Sequence, residues 1–414
     1  MRFLMAPVGS AGDVHPVVGV GLELRRLGHE VVFAVNGYFK EMIVERGFGF
    51  IEIGTAEEFR AVTDHPDIWN PRRALTHLYR NGVVKAMRLQ QEVTADFCRA
   101  KGSVSLTGIL GFGGLLAGER HGVPVATMHL QPAAIWSRID PPKYQGMVGP
   151  RWLKSLVYDL AERFMMDPAI LPTFNAYRAE LGLAPIRGIS RWWHSRDAVF
   201  CFFPSWFAAK PADWPPATEV LDFPLWEEGA DRELDPAVEA FLSAGAAPIV
   251  FTPGSANVFG RTFFETAVRA TRELGARCVL LSRFPEQMPK DLGKDCLAHS
   301  YASFTKLLPR ARALVHHGGI GSAAQALAAG IPQLIMALAH DQFDNGERVR
   351  RLGVGDWLTK ADFTSRRVAR RLGRLVRDPA VAARAREVAI RLRARDGAAR
   401  CAAAVEAWAK RRTE

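Results

Sequence analysis

His316–Arg351, reading HHGGIGSAAQALAAGIPQLIMALAHDQFDNGERVRR, is the stretch from which the fold is read. The apolar run Ala313 to Val315 leads into two histidines and three glycines. Ser322 and an Ala-rich run, Ala323 to Ala329, follow; these favour a helix, stopped by Gly330 and Pro332. A second apolar run, Leu334 to Leu338, precedes Asp341, Gln342 and Asn345. The order predicts strand, Gly-rich turn, helix, strand and polar loop. Such a turn offers bare backbone N–H groups and the positive end of a helix dipole, so its natural guest is a phosphate or diphosphate. Asp341 and Gln342, past the second strand, then face whatever that diphosphate carries. A nucleotide ligand is the first reading.

The N-terminal half opens the same way. A strand over Arg2 to Pro7 runs into the loop GSAGDVHP (Gly9 to Pro16), an amphipathic helix from Val17 to Leu27 ending at Gly28, and a strand over Glu30 to Val35. Further strands are predicted at Gly49 to Ile53, Val104 to Leu110, Val125 to Leu130 and Ala198 to Phe203. Apolar residues at 152, 153, 156, 157, 160 and 164 form a helical stripe. Pro204, Pro211, Pro215, Pro216 and Pro224 then crowd the chain too densely for regular structure. The second half restarts with a strand over Pro248 to Phe251, the turn TPGSAN, a helix near Thr262 to Leu274 and a strand at Cys278 to Leu281; it is helical after Asp362. The expected class is α/β, with two Rossmann-like β/α/β domains facing a central cleft. Their boundaries are residues 1–214, a linker over 215–235, a second domain over 236–390 and a C-terminal helix over 391–414 that packs back on the first.

With 414 residues there is enough chain for two full cores, and 48% apolar with 23% charged residues is an ordinary globular balance. The net charge of +11 and pI near 9.7 raise a nucleic-acid reading. Many arginines, however, lie between Arg366 and Arg395 at helical spacing, as a solvated helix face would have them. A basic surface still favours anionic membranes or acidic substrates. Five scattered cysteines give no zinc spacing and no disulfide framework. The start is too short for a signal peptide, and no run reaches the roughly 18 apolar residues of a membrane span. The expectation is a cytoplasmic protein, at most peripheral on a membrane.

Gly319 to Ala324 also fits the GxGxxA variant of the dinucleotide fingerprint, with Asp341 twenty residues after Gly321, so a nicotinamide-dependent dehydrogenase is the rival enzyme. Against it, His317 directly before the glycines suits a departing diphosphate, and Asp341 with Gln342 suits several sugar hydroxyls. In the first loop, Ser10 and Gly12 give the turn, and Asp13 and His15 are both candidates to take a proton from an acceptor hydroxyl. Asp13 is equally an N-terminal helix partner. Gly111 to Gly114 reads as a close-packed turn, and His129 beside Gln131 as a hydrogen-bonded core histidine or a cleft-lining residue.

On these residues the chain resembles the family 1 glycosyltransferases of the two-domain GT-B fold, and within them the rhamnosyltransferases of rhamnolipid synthesis. The resemblance runs through GSAGDVHP, WWHSRDAVFCFFPSWFAAKPADWP, FTPGS, Tyr301-Ala302, HHGGIGS and AHDQFDN. It implies an inverting, metal-independent transferase whose donor is a nucleoside-diphosphate sugar, dTDP-L-rhamnose ahead of UDP-glucose. Tyr301 and Ala302 would hold the base; Ser255, His317, Gly319, Gly321 and Ser322 the diphosphate; Asp341 and Gln342 the sugar. Ser10 and Gly12 join the donor set through their loop, and Asp13 takes the place of the general base ahead of His15. Phe112, His129 and Gln131 would face the acceptor, an apolar molecule and by resemblance a hydroxylated fatty-acid lipid. Gln325 stands where many relatives place a ribose-binding Glu, Ser303 and Phe304 replace a Pro-Gln pair, and Ala337 and Gly346 replace a frequent proline and alanine. The alternatives are a UDP-glucose-dependent enzyme acting on phenols or sterols and a non-catalytic sugar-nucleotide sensor.

Overall fold

Short runs of Val, Ile, Leu and Phe, apolar at consecutive positions, form strands buried on both faces, as parallel sheets require. The computed structural model describes residues 1–70, 73–147, 149–254, 257 and 260–414. They divide into two units, Met1–Pro224 with Gly397–Glu414, and Leu225–Asp396.

The first unit carries seven parallel strands: β1 (Arg2–Ala6), β2 (Glu30–Val35), β3 (Gly49–Glu52), β4 (Ser103–Thr107), β5 (Val125–His129), β6 (Val199–Cys201) and β7 (Thr218–Val220). Their order is β3-β2-β1-β4-β5-β6-β7. The second carries β8 (Ile249–Thr252), β9 (Cys278–Leu281), β10 (Cys296–His299), β11 (Ala313–His316), β12 (Gln333–Ala337) and β13 (Gly355–Thr359), ordered β10-β9-β8-β11-β12-β13. Each sheet reverses its winding once, between β1 and β4 and between β8 and β11. At such a reversal the loops leaving the two central strands diverge and open a crevice at the carboxyl edge. Ala6 pairs with Thr107 and His316 with Thr252, so the loops that follow start side by side. In the second unit, Ile249, Phe251, Leu280 and Val315 face one core, and Val250, Val279 and Leu314 the other.

Three strands went unread in the sequence, and all three are sheet edges. β10 and β13 are only partly buried, and β7 lies in the stretch 215–235, expected to be a structureless linker. Pro215, Pro216 and Pro224 flank β7 rather than interrupt it, which an edge tolerates. The second unit runs from Leu225 to Asp396 rather than from 236 to 390. The C-terminal return begins at Gly397, not at 391: helix Gly397–Thr413 lies against helix Ala11–Arg26. Arg400 pairs with Asp222, His29 Nε2 meets Glu406 at 3.0 Å, and Trp408 meets Phe200 edge-on. The Gly111–Gly114 turn is close-packed, since a Cβ on Gly113 would lie 2.3 Å from the carbonyl oxygen of Met87.

A Cβ on Gly397 would lie 2.1 Å from the carbonyl oxygen of Phe223. Gly397→Ala therefore forces backbone apart where the returning helix begins, and urea unfolding should register a loss of roughly 1–3 kcal/mol. Unchanged stability would mean that this approach is looser than the structure places it.

Candidate functional site

In the first unit the loop after β1 turns at Gly9, where φ is +141°, and Ser10 caps helix Ala11–Arg26. Asp13, in the first turn, folds its carboxylate back over the loop. Its Oδ2 accepts from the Ser10 backbone N–H at 2.8 Å and from Ser10 Oγ at 3.2 Å. A Cβ on Gly9 would lie 2.2 Å from Oδ2, so this position requires glycine for space as well as for φ. The helix-partner role is thus realised. Burial nevertheless outweighs the two hydrogen bonds and pushes the Asp13 carboxyl up to about 6. His15 stands two residues further along the same helix, and Gly12 is exposed.

Asp13 lines a pocket at the carboxyl edge of the first sheet together with Val17, Gly108, Met128, His129 and Gln131. His129, the last residue of β5, is 1% exposed, and its Nε2 lies 2.9 Å from His194 Nδ1. Burial holds the pair uncharged: His129 is lowered well below the usual histidine range and His194 to about 4. His129 Nδ1 has no hydrogen-bond partner among the described residues. Phe112, expected to face the acceptor, is corrected to a core residue: it is 1% exposed and packs edge-on against Phe174 and Trp192. It opens a helix whose Gly113 presses against helix Val84–Phe97, and that contact turns the ring inward.

In the second unit, β11 delivers His316 and His317 to the Gly-rich turn. His316 is fully buried and structural; Nε2 meets Gln333 Oε1 at 3.0 Å and Nδ1 accepts from Gly318 N–H at 3.1 Å. The His317 ring fits between two glycines. A Cβ on Gly254 or on Gly319 would come within 2.5 Å of it. Burial, with His316 and His340 nearby, lowers His317 to about 3, so at neutral pH it is an uncharged imidazole whose Nδ1 has no hydrogen-bond partner among the described residues. Gly319 caps helix Ile320–Ala329, and a Cβ on Gly321 would meet nothing within 4 Å, which leaves open space before the helix N-terminus. Ser322 and Gln325 lie on that helix, one turn apart. Ser255 lies outside the described residues.

Asp341 caps helix Gln342–Arg351, and its Oδ2 accepts from Asn345 Nδ2 at 2.6 Å, while the same Nδ2 donates to Gly318 O at 2.9 Å. Asn345 thus ties the loop after β12 to the Gly-rich turn. Gln342 is 3% exposed, and its Oε1 accepts from the N–H groups of Leu338 at 2.7 Å and Ala339 at 3.1 Å. Its acceptor atom holds the loop, so of the polar pair Gln342 can offer a ligand only its amide donor. Immediately before Asp341, His340 has φ of 55°, in the left-handed region where a side chain strains the backbone. Gly346 faces Trp357, where a Cβ would approach to 2.9 Å.

Tyr301 is 48% exposed, and its hydroxyl donates to the Glu228 carbonyl; Ala302 is buried. Glu227 accepts from Phe304 N–H at 2.6 Å, Thr305 N–H at 3.0 Å, Ser303 Oγ at 2.9 Å and Thr305 Oγ1 at 2.8 Å. Ser303 and Phe304, which replace the Pro-Gln pair, are thus part of a seat for this carboxylate. Sequence reasoning missed Glu227, because its segment read as linker, and His194, whose partner lies 65 residues away.

Residues 289–407 match the family described as Erythromycin biosynthesis protein CIII-like, C-terminal domain. The chain is 29% identical over 432 aligned residues to O-mycaminosyltylonolide 6-deoxyallosyltransferase of Streptomyces fradiae, covering 100% of this chain and 99% of that one. It is 30% identical over 426 residues to an uncharacterized glycosyltransferase of Mycobacterium leprae (strain TN), covering 97% and 96%. Among solved structures, the glycotransferase of kitacinnamycin superposes with a TM-score of 0.76 at 22% identity, covering 98% of each chain. That likeness gives the fold, GT-B.

Gln342→Ala should strand the Leu338 and Ala339 N–H groups and cost about 1–3 kcal/mol in urea unfolding, with Gln342→Glu recovering part of it. Wild-type stability in the alanine variant would show that Gln342 does not hold the loop.

Proposed function

We propose that this chain, which belongs to the family 1 glycosyltransferases, moves a 6-deoxyhexose from its nucleoside diphosphate to a hydroxyl of an apolar acceptor, with inversion and without a metal. The observation that carries this reading is Asp13, a carboxylate raised to about 6 and lining an apolar-walled pocket. An ordinary aspartate near ~4 is a poor base for an alcohol. Raised by burial, Asp13 holds the proton it takes from the acceptor hydroxyl more firmly as the new C–O bond forms, and Oδ1, which makes no hydrogen bond among the described residues, is the atom that receives it. On this reading Asp13 is the base ahead of His15, which stands two residues further along the helix.

The second unit holds the donor. The uncharged His317 donates an N–H to the diphosphate, and the backbone N–H groups from Gly319 to Ser322 meet the charge that grows on the leaving oxygens. Ser255 joins that set. The exposed Tyr301 ring offers the base a face to stack on beside Ala302, Gln325 reaches the ribose, and Asp341 takes the sugar hydroxyls. His129 and Gln131 line the acceptor pocket. The sugar is inferred from the Streptomyces relative, whose name specifies a 6-deoxyallosyl group. A 6-deoxyhexose is in keeping with dTDP-L-rhamnose ahead of UDP-glucose, while the hydroxyalkanoyl lipid acceptor of rhamnolipid synthesis rests on the sequence resemblance alone. The dehydrogenase reading is overturned by the glycosyltransferase relatives, and the GxGxxA pattern of Gly319–Ala324 is the family's diphosphate turn.

Asp13→Asn should abolish transfer while leaving donor affinity, read by calorimetry with dTDP and UDP, within about twofold. Retained transfer would remove Asp13 as base; unchanged donor binding with no turnover in the wild type would favour a sensor. Because the base works deprotonated, kcat/KM should fall as pH drops through about 6. A plateau persisting below pH 5 would contradict the assignment. Asp341→Ala should weaken intact sugar nucleotide by about tenfold or more and free nucleotide far less; equal losses would mean that Asp341 does not read the sugar.

A further inference from the structure

Helix Arg151–Ala161 and the single wider turn after it, Glu162–Met166, turn their apolar side outward. Trp152 and Phe164 are each 67% exposed, Met165 51%, Leu156 and Leu160 46%, and Val157 42%. Scattered exposed apolar residues are ordinary, but a continuous stripe on one helix marks a surface meant to be covered. The inner face is fixed to the first unit. Tyr158 stacks on Trp136 with ring centroids 3.6 Å apart and planes 7° apart, and Tyr144 Oη donates to the Ala133 carbonyl at 3.1 Å. Trp136 lies two residues beyond Ala134, a wall of the pocket that holds Asp13.

The charges around the stripe select its occupant. The element's two carboxylates are engaged: Asp159 pairs with Arg138 at 2.8 Å, and Glu162 accepts from the Ser190 backbone N–H at 3.0 Å. Arg151, Lys154 and Arg163 have no carboxylate partner among the described residues, and Arg163 lies over the Phe164 ring at 5.6 Å. Trp, Leu and Phe rimmed by Arg and Lys on a helix lying along the surface match a membrane interface with anionic headgroups. A second copy of this chain would bring the same cations against one another, and the whole chain carries +11.

We propose that the outer face of residues 151–166 docks on an anionic lipid surface and seats the acceptor pocket beside the bilayer, from which an apolar alcohol is drawn. The docking rests on the glycosyltransferase reading only for the identity of what is drawn. Trp152, Leu156, Leu160 and Phe164 enter the headgroup layer, while Arg151, Lys154 and Arg163 stay at the phosphates.

The test is co-sedimentation of the full chain with vesicles of phosphatidylcholine alone and of phosphatidylcholine with phosphatidylglycerol, alongside Leu160→Glu/Phe164→Glu. The wild type should bind the anionic vesicles at least about tenfold better, lose binding as salt rises, and lose it in the double variant. That variant should keep the wild-type melting temperature and transfer to a short-chain, water-soluble acceptor. No binding to anionic vesicles, or binding unchanged in the double variant, overturns the proposal. So does a wild-type dimer in sedimentation velocity that the double variant dissolves. Failed vesicle binding with intact transfer sinks the docking surface alone; vesicle binding without any glycosyl transfer sinks the functional reading and leaves the surface standing.

Discussion

The reversal of strand order at the centre of each sheet is the constraint on which the rest depends. Two parallel strands whose helices cross over on opposite faces leave no helix between their carboxyl ends, and the loops there diverge. In the second unit, that opening receives the turn His316–Gly319 and the N-terminus of helix Ile320–Ala329. In the first it receives the Gly9–Asp13 loop. Backbone N–H groups and a helix dipole come with the topology. What the side chains add is selection: an uncharged imidazole between two glycines on one sheet, and a partly desolvated carboxylate on the other.

Burial does most of the chemical tuning. Asp13 is raised to about 6 although two groups of Ser10 donate to it, and His317 is lowered to about 3. The first shift makes a better proton acceptor from a residue that also caps a helix. The second leaves His317 uncharged at neutral pH with an N–H to donate, as the proposed diphosphate site requires. Gln342 and Asn345 show the complementary economy: buried amides hold the loop in place, so that Asp341 is presented at a helix N-terminus.

Much of this was legible in the residues. Most of the strands read from the sequence, such as Glu30–Val35 and Cys278–Leu281, are central or nearly so, the edge strand Gly49–Glu52 being an exception, and a central parallel strand needs an unbroken apolar run because both faces are covered. Edge strands have no such need. Cys296–His299, Gly355–Thr359 and Thr218–Val220 carry polar or half-buried residues and so left no signal. At the site, the glycines, His317, Asp13 and Asp341 announce themselves by spacing after a strand. Phe112 misled because an aromatic after a Gly-rich turn says nothing about which way its helix rolls. His194 and Glu227 act through partners distant in the chain, at His129 and at Ser303–Thr305, and no local pattern pairs them. The Trp152–Phe164 stripe was read as helical from its period; that it faces outward depends on which side Tyr158 and Ser155 bury.

The central claim of the proposal is a single in-line displacement on the sugar, assisted by Asp13 as the base. The stereochemistry of the product tests it most directly: transfer from a dTDP-linked 6-deoxyhexose of known anomeric configuration to a hydroxyalkanoyl acceptor, with the product linkage assigned by NMR couplings. The account predicts a glycoside of the opposite anomeric configuration. A product that retains the donor's configuration would contradict a direct displacement assisted by Asp13.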